Sequence, residues 1–156
     1  MSTPKRAWTP APSPKGFPPP VGPYTPAVRA GNLVFVSGQT PRDPVTGEVG
    51  QADIQVQTRR TLFNLKAVLA AAGATLDDVV SVTVYLADGN DWAAFNEVYK
   101  EFFKEPYPTR TAVGCQLRGI LVEVSAIASL DPNGASGSPP PTGGAPKGFR
   151  PDMTLY

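Results

Sequence analysis

The sequence predicts an α+β fold in which a single β-sheet carries two helices on one face. Three segments, 81–87, 109–117 and 120–129, alternate between two faces with the two-residue period of a strand, and two more strands flank a turn at Gly31-Asn32. Two longer segments instead place apolar residues at the spacing of an amphipathic helix. The segments follow the order β-β-α-β-α-β-β, which favours one sheet with both helices packed on the same side.

The first two predicted strands form a hairpin about Gly31 and Asn32. Residues 28–29 precede this turn dipeptide and the apolar residues 33–36 follow it, which is a typical hairpin pattern. Gly38 comes just after the second strand, where the absence of a side chain allows another group to approach the backbone closely.

The two helices are predicted at 52–72 and 92–104. The first carries an apolar stripe and stops at Gly73, a residue type that commonly ends helices. The second begins after Asp91, a typical N-cap residue, and presents a wide apolar and aromatic face. A strand with alternating residues is predicted between the helices at 81–87.

The last two strands are predicted at 109–117 and 120–129. The Arg118-Gly119 dipeptide between them would allow a direct hairpin. In the first of these strands, Arg110 shares one face with small and polar residues, which leaves room for a ligand. We expect the opposite face of that strand to be mostly core.

Arg110 and Glu123 are ionisable residues inside apolar, strand-like runs. An unpaired buried charge is costly, and a guanidinium does not lose its proton in proteins, so each group needs a partner. We expect Arg110 to hold a small carboxylate and Glu123 to handle a water molecule beside it. The residue types alone equally allow a structural Arg–Glu pair between two strands, or two residues at a strand edge.

The composition narrows the chemistry that a site can use. The chain has no histidine and one cysteine, which excludes Ser-His-Asp and Cys-His nucleophilic sites, the usual zinc ligand sets and intrachain disulfides. We therefore expect no metal and no cofactor. Acid–base chemistry is left to carboxylates, tyrosine, lysine, backbone and water.

Charge and hydropathy indicate the compartment and the partners. Residues 27–130 carry nine cations and eleven acids, a net charge of −2. This charge argues against a broad nucleic-acid interface, which would need an excess of cations. No apolar run has the length of a membrane span, and the N-terminus lacks the apolar region of a signal peptide. A cytoplasmic location is the resulting expectation.

Proline placement divides the chain into three parts. Residues 1–26 hold nine of the 19 prolines and residues 131–156 hold six, which leaves four for the region between. We predict an irregular, extended N-terminal arm at 1–21, one folded domain at 22–130, and a Pro/Gly-rich tail at 131–156.

Several motifs together resemble the RidA/YjgF reactive-intermediate deaminase family, also known as the L-PSP endoribonuclease family. The signature is Pro108-Thr109-Arg110, followed by a small-residue strand and then Leu121-Val122-Glu123-Val124. The other matching stretches are Gly22-Pro23-Tyr24-Thr25-Pro26-Ala27, Val36-Ser37-Gly38-Gln39, Asp43-Pro44-Val45-Thr46-Gly47-Glu48 and Asp91-Trp92-Ala93-Ala94-Phe95-Asn96-Glu97-Val98-Tyr99.

This resemblance implies a chorismate-mutase-like fold, in which another strand lies between the last two, and a homotrimer with clefts between subunits. It implies hydrolytic deamination of 2-imino or enamino acids, such as 2-aminoacrylate, to 2-keto acids and ammonia. A trimer also agrees with the sheet itself, because its second face would otherwise leave apolar residues in water.

The resemblance also implies a set of site residues. Arg110 would bind the substrate carboxylate and Glu123 would position or deprotonate the water. Backbone groups near Ala112 would hold the imine nitrogen. Family members often have cysteine at this position, so a role through the backbone would be kept here and a role through a thiol would be lost. The remaining predicted wall residues are Tyr24, Ser37, Gly38 and Asn96.

Two alternatives come from other classes of function. The first is a non-catalytic protein that senses small carboxylates and uses Arg110 for binding alone. The second is an endoribonuclease or translation inhibitor, against which the missing histidines and the −2 central segment weigh. The short connection around Arg118 and Gly119 leaves the relation between the two strands, and the substrate preference, open.

Overall fold

A mixed sheet of six strands lies under two helices in the computed structural model, which describes residues 4–131. The α+β prediction is confirmed, and the sheet order is β1-β2-β3-β6-β4-β5. The elements are β1 (Thr9–Pro10), β2 (Ala27–Ala30), β3 (Leu33–Gln39), α1 (Ile54–Ala71), β4 (Val79–Leu86), α2 (Trp92–Phe102), β5 (Thr109–Gly114) and β6 (Val122–Ser129).

The N-terminal arm adds a strand to the five that the sequence predicts. Strand β1 pairs antiparallel with β2, and the Ala11 amide donates to the Ala27 carbonyl over 2.9 Å. Proline lacks an N–H and is therefore tolerated at a sheet edge, where that group has no strand to meet. The arm predicted as irregular is thus anchored to the sheet at this point. The predicted tail lies outside the described residues except for residue 131.

The hairpin predicted for the first strands is confirmed, whereas the direct hairpin that Arg118-Gly119 would allow between the last two strands does not form. Strands β2 and β3 pair across Gly31, whose φ of 60° suits glycine. Strand β6 pairs antiparallel with both β3 and β4, and β5 runs parallel to β4. Strand β4 therefore lies between the last two strands, as the family resemblance implies.

The connection from β5 to β6 leaves the sheet instead of turning back on it. Strand β5 ends at Gly114, and the Cys115 amide donates to the Leu86 carbonyl over 2.9 Å. The Leu121 amide is satisfied by the side chain of buried Gln57 in α1, at 2.8 Å. These bonds replace the pairing that a hairpin would have supplied.

The core fills the space between the helices and one face of the sheet. The predicted apolar stripe of α1 is confirmed, since Leu62, Leu65, Val68 and Leu69 are buried. Each such side chain contributes about 1.5–3 kcal/mol through burial. From β6, every second residue joins this core; these are Val122, Val124, Ala126 and Ala128.

Helix α2 begins at Trp92 as predicted, but the Asp91 side chain does not cap it. Asp91 stands at the N-cap position but its side chain makes no capping bond. The carboxylate of Asp88 accepts from the Asn90 amide over 2.9 Å and caps a single 3-10 turn, Gly89–Asp91, that leads into α2. Desolvation, with the nearby Asp88 charge, raises the pKa of Asp91.

Within the described part of the chain, the second face of the sheet has no helix over it. Phe35 of β3 is 38% exposed and Val113 of β5 is 44% exposed, although both belong to strands. Apolar side chains on a sheet face are normally covered, so this face favours contact with another chain. Within residues 4–131, neither helix combines the length and the apolar character that crossing a bilayer requires.

Candidate functional site

A β-bulge in β3 shapes the surroundings of Glu123. Val36 pairs with Ala126 and Gln39 pairs with Val124, so β3 contains one residue more than β6 over this interval. A bulge bends its strand and changes the direction of nearby groups. Here it brings the backbone of β3 against the Glu123 side chain.

Gly38 lies in this bulge, in close contact with Glu123. A Cβ placed on Gly38 would overlap the Glu123 Oε1 atom and would lie 2.9 Å from its Cδ. No side chain can occupy position 38 while the carboxylate stays where it is. The close approach expected at Gly38 is therefore an approach by Glu123.

Ser37 and Tyr24 lie beside this pair. The Ser37 hydroxyl donates to the Thr25 carbonyl over 2.6 Å, and the Ser37 amide donates to the Pro26 carbonyl over 2.9 Å. These bonds join the bulge to the segment that carries Tyr24. Ser37, Gly38, Tyr24 and Glu123 all line one cavity of about 610 Å³.

Arg110 occupies a different environment, among aromatic rings of α2. Its Cζ lies 4.8 Å from the ring centroid of Trp92, 5.8 Å from that of Phe95 and 4.6 Å from that of Tyr99. Burial lowers the pKa of Arg110, and the Tyr99 phenol opposes this shift. The guanidinium stays charged, and among residues 4–131 no acid forms an ion pair with it.

Two further polar atoms beside Arg110 lack hydrogen-bond partners. The Asn96 Oδ1 atom and the Tyr99 hydroxyl are both buried without a partner among the described residues. Such groups normally find one, because burying them alone costs about 1–3 kcal/mol. Asn96, Tyr99 and Arg110 line a second cavity of about 290 Å³ together with Tyr107. The three groups can together hold a small anion that also carries a donor.

Tyr99 is absent from the residues that the sequence analysis selects. The apolar face of α2 predicts a core position for it, and the ring is indeed only 4% exposed. The available signal is its spacing, because Tyr99 follows Asn96 by three residues and therefore shares its side of the helix. Desolvation raises the pKa of Tyr99 to about 12, so the phenol remains protonated and can donate.

Arg110 and Glu123 point to opposite faces of the sheet within one chain. Arg110 pairs with Val82, whose side chain is in the core, whereas Glu123 pairs with Tyr85 on the other face. The expectation that Glu123 acts beside the carboxylate held by Arg110 is therefore not met within a single chain. The alternation of side chains divides each strand into two faces, but it does not show which of these faces lies toward the helices.

The two faces of β5 are also the reverse of the prediction. Ala112 shares the face of Arg110 and packs against the core. The opposite face, expected to be mostly core, carries exposed Thr111 and Val113. Arg110 thus lies under α2, with aromatic rings around it instead of the small polar face that was expected.

Comparisons with known proteins agree with this architecture. The family model described as endoribonuclease L-PSP matches residues 15–130. A RutC family protein from Pyrococcus horikoshii is 52% identical over 113 residues, which is 71% of this chain and 90% of that protein. The chain belongs to the RidA/YjgF family.

Another relative of this RidA/YjgF chain is TdcF of Escherichia coli, which is named as a reactive intermediate deaminase. It is 45% identical over 113 residues, 69% of this chain and 87% of TdcF. The crystal structure of Escherichia coli TdcF with bound serine has a TM-score of 0.72 and 41% identity, and covers 79% of this chain and 99% of that one.

Ala112 is the site residue for which the family resemblance often implies a cysteine instead. The Ala112 methyl group packs against the core and supplies no polar atom. Strand β5 is the last strand of the sheet, so part of its backbone faces away from β4. Any polar contact made by this position must therefore use its N–H or C=O group.

Proposed function

We propose that this protein is a hydrolytic deaminase that converts 2-imino and enamino acids into 2-keto acids and ammonia. The observation that carries the proposal is the Arg110 guanidinium, held among three aromatic rings at the edge of a cavity without an acidic partner in the described part of the chain. A small carboxylate supplies the negative charge that can pair with this guanidinium. The deaminase name of TdcF, and the serine bound in its crystal structure, support the same ligand class.

The chemistry needs no covalent nucleophile. The C2 atom of a 2-imino acid is already electrophilic, so a correctly placed water can add to it. Glu123 accepts a proton from that water as the C–O bond forms, and the proton is returned to the nitrogen. The hydroxyl proton of the resulting carbinolamine then passes to the amine nitrogen by way of Glu123, so the C–N bond breaks as the C=O bond forms, and the products are one 2-keto acid and one ammonia. Backbone groups near Ala112, with the Asn96 oxygen, hold the nitrogen during these steps.

The proposed site is shared between two copies of the chain in a homotrimer. Within one chain, Arg110 and Glu123 lie on opposite faces of the sheet. The face of Glu123 is also the one without helices, where Phe35 and Val113 are exposed. Contact of that face with the β5 edge of a neighbour would cover these side chains and bring the two groups to one cleft. Tyr24, Ser37 and Gly38 would come from the Glu123 subunit, and Asn96 from the Arg110 subunit.

A coupled assay tests the reaction. An amino-acid oxidase generates the imine, semicarbazide traps what remains, and acceleration of imine loss reports the deaminase. We expect Arg110→Ala to abolish the acceleration. Arg59→Ala is the matched control, because Arg59 is exposed and pairs with Glu101 on the helices, away from both cavities. Wild-type protein without any acceleration would favour the carboxylate sensor.

Complementation tests the shared site. Arg110→Ala and Glu123→Gln chains are each expected to be inactive, and mixed assemblies place an intact Arg110 beside an intact Glu123 at some interfaces. Random mixing in equal amounts gives about a quarter of such composite sites, so about 25% of wild-type activity should return. A site made within one chain would recover nothing, and that result would contradict the proposal.

The endoribonuclease alternative has one observation in its favour, which is the description of the matching family model. The charge of −2 over residues 27–130 does not form a basic surface for a phosphate backbone. An RNA-cleavage assay on the same proteins separates the two functions. Cleavage that is lost with Arg110→Ala would support a nuclease at this site, whereas cleavage that survives indicates a different site.

A further inference from the structure

The N-terminal arm is fixed beside the Glu123 cavity. Strand β1 anchors it to β2, and Ala11 and Phe17 pack against the hydrophobic core. Between these anchors, the Phe17 amide donates to the Pro14 carbonyl over 3.2 Å and closes a turn. The arm therefore approaches the cavity as an ordered wall.

This wall is apolar and stiff. The residues that the arm contributes to the cavity are Ser13, Pro14, Phe17, Pro18, Pro19, Pro20 and Val21. Proline has a fixed φ and no N–H, so the wall offers few donors and loses little conformational freedom when a ligand binds. Val21 is 91% exposed, which leaves a large apolar side chain at the cavity with nothing from residues 4–131 covering it.

The opposite wall of the cavity presents polar groups that are already engaged. The Arg42 Nη1 atom donates to the Gly47 carbonyl over 3.0 Å. The Asp43 Oδ1 atom accepts from the amides of Val45 and Thr46, at 2.7 and 2.9 Å, and these bonds lower the pKa of Asp43. Both side chains therefore stabilise their own loop, and the Arg42 guanidinium keeps a positive charge at the cavity with no acidic ion-pair partner among residues 4–131.

The size of the cavity exceeds what the smallest substrates require. Its volume of about 610 Å³ lies well inside the range of roughly 300–1,000 Å³ for small-molecule sites. One water takes up about 30 Å³ in the liquid, and a three-carbon imino acid contains only about six non-hydrogen atoms. A large part of the cavity would stay empty of such a substrate.

We infer that the arm-walled cavity is a subsite for the substrate side chain, and that it selects 2-imino acids with branched or long apolar side chains. The inference rests on the proposed function, which places the reacting carbon beside Glu123. Because Glu123 and the arm line the same cavity, a side chain attached to that carbon extends along Val21 and the prolines. Each additional buried methylene favours binding roughly fourfold.

The test compares 2-imino-4-methylpentanoate with 2-iminopropanoate, using the full chain and the imine-trapping assay. We expect kcat/KM of the wild type to be at least about tenfold higher for the branched substrate. Val21→Asp places a charge on the apolar wall and, since Val21 is exposed, leaves the fold intact. It should remove most of this preference and change the three-carbon rate by no more than about twofold.

Val45→Asp is the matched control. Val45 is 86% exposed and does not line the cavity, so the same charge at this position should leave both rates unchanged. The inference is overturned if the wild type shows no preference for the branched substrate. It is also overturned if the ratio of the two rates is the same in Val21→Asp as in the wild type.

A binding measurement separates this inference from the proposed function. Titration of the unreactive products 4-methyl-2-oxopentanoate and pyruvate, followed by NMR, needs no turnover. If no imine is hydrolysed but the branched keto acid binds more tightly and Val21→Asp removes the difference, the subsite stands and the deaminase fails. Equal affinities, or no binding of either acid, would refute the subsite.

Discussion

Gly38→Ala tests whether the position of the Glu123 carboxylate controls the reaction. A Cβ at position 38 would lie 2.9 Å from the Glu123 Cδ, whereas ordinary contact begins at 3.4 Å. The carboxylate carbon must therefore retreat by about 0.5 Å, and the oxygen that the methyl group overlaps must move further. A misplacement of about 1 Å at a reacting group can cost about 100-fold in rate, so we expect kcat to fall by about 10- to 100-fold.

Folding should be little affected by this substitution. The φ angle of Gly38 lies outside the left-handed region, so alanine can adopt the same backbone conformation. The group that must move is the end of a flexible side chain. Removal of glycine also lowers the entropy of the unfolded chain, and the net change in the free energy of unfolding should stay within about 1 kcal/mol.

The assay is imine trapping with single-turnover controls, alongside urea denaturation. Gly89→Ala is the matched control, because a Cβ at position 89 meets no atom within 4 Å. Glu123→Gln should lose at least as much activity as Gly38→Ala, and the double variant should be no worse than Glu123→Gln alone. Wild-type kcat in a folded Gly38→Ala protein would refute the reasoning, because the carboxylate would then not need its present position.

Three further predictions concern Tyr99, Gln57 and Asp91. Tyr99→Phe keeps the ring against Arg110 but removes a buried hydroxyl that has no partner. It should weaken 2-keto acid binding by about 10- to 100-fold in a titration, and thermal denaturation should show an equal or higher melting temperature. Gln57→Leu leaves the Leu121 amide unpaired in the connection that leads to β6 and should lower the free energy of unfolding by about 1–3 kcal/mol in urea denaturation. The raised pKa of Asp91 means that the native state loses stability as pH rises from the ordinary aspartate range through that pKa, so Asp91→Asn should raise the melting temperature at pH 7 and not at pH 3.

The pattern of the sequence predicts both helices and five of the six strands, but it does not predict how all the strands pair. The stripe of α1 and the hairpin about Gly31 follow from local periodicity and turn chemistry, and both are confirmed. The dipeptide Arg118-Gly119 is equally local, yet it does not make a hairpin, because β4 takes the place between β5 and β6. Strand pairing depends on contacts that are distant in sequence, and a two-residue turn signal carries no information about them.

For the candidate site, too, the sequence indicates individual residues but not how they are arranged. Arg110 and Glu123 stand out because a charge in an apolar run needs a partner, and this reasoning uses each residue by itself. The face on which each side chain lies depends on where the helices pack, which a strand's alternation does not specify. The sequence did not indicate Tyr99 as a site residue, because an aromatic residue on an apolar helix face predicts a core position. Only the structure shows that its hydroxyl is buried without a partner among the described residues.

Groups without partners or cover occur at two separate places in this chain, and assembly with a second copy would account for both. At the β5 edge, a buried guanidinium and two polar atoms lack partners among the described residues. On the face of the sheet without helices, Phe35 and Val113 are not covered by the described residues. Glu123 points to the same face. A ligand alone could satisfy the first set but would leave the apolar face in water. A second copy of the chain could cover the face, and in doing so would bring a Glu123 toward Arg110. Assembly and substrate binding would then complete each other, so activity should decline with the assembly when the protein is diluted.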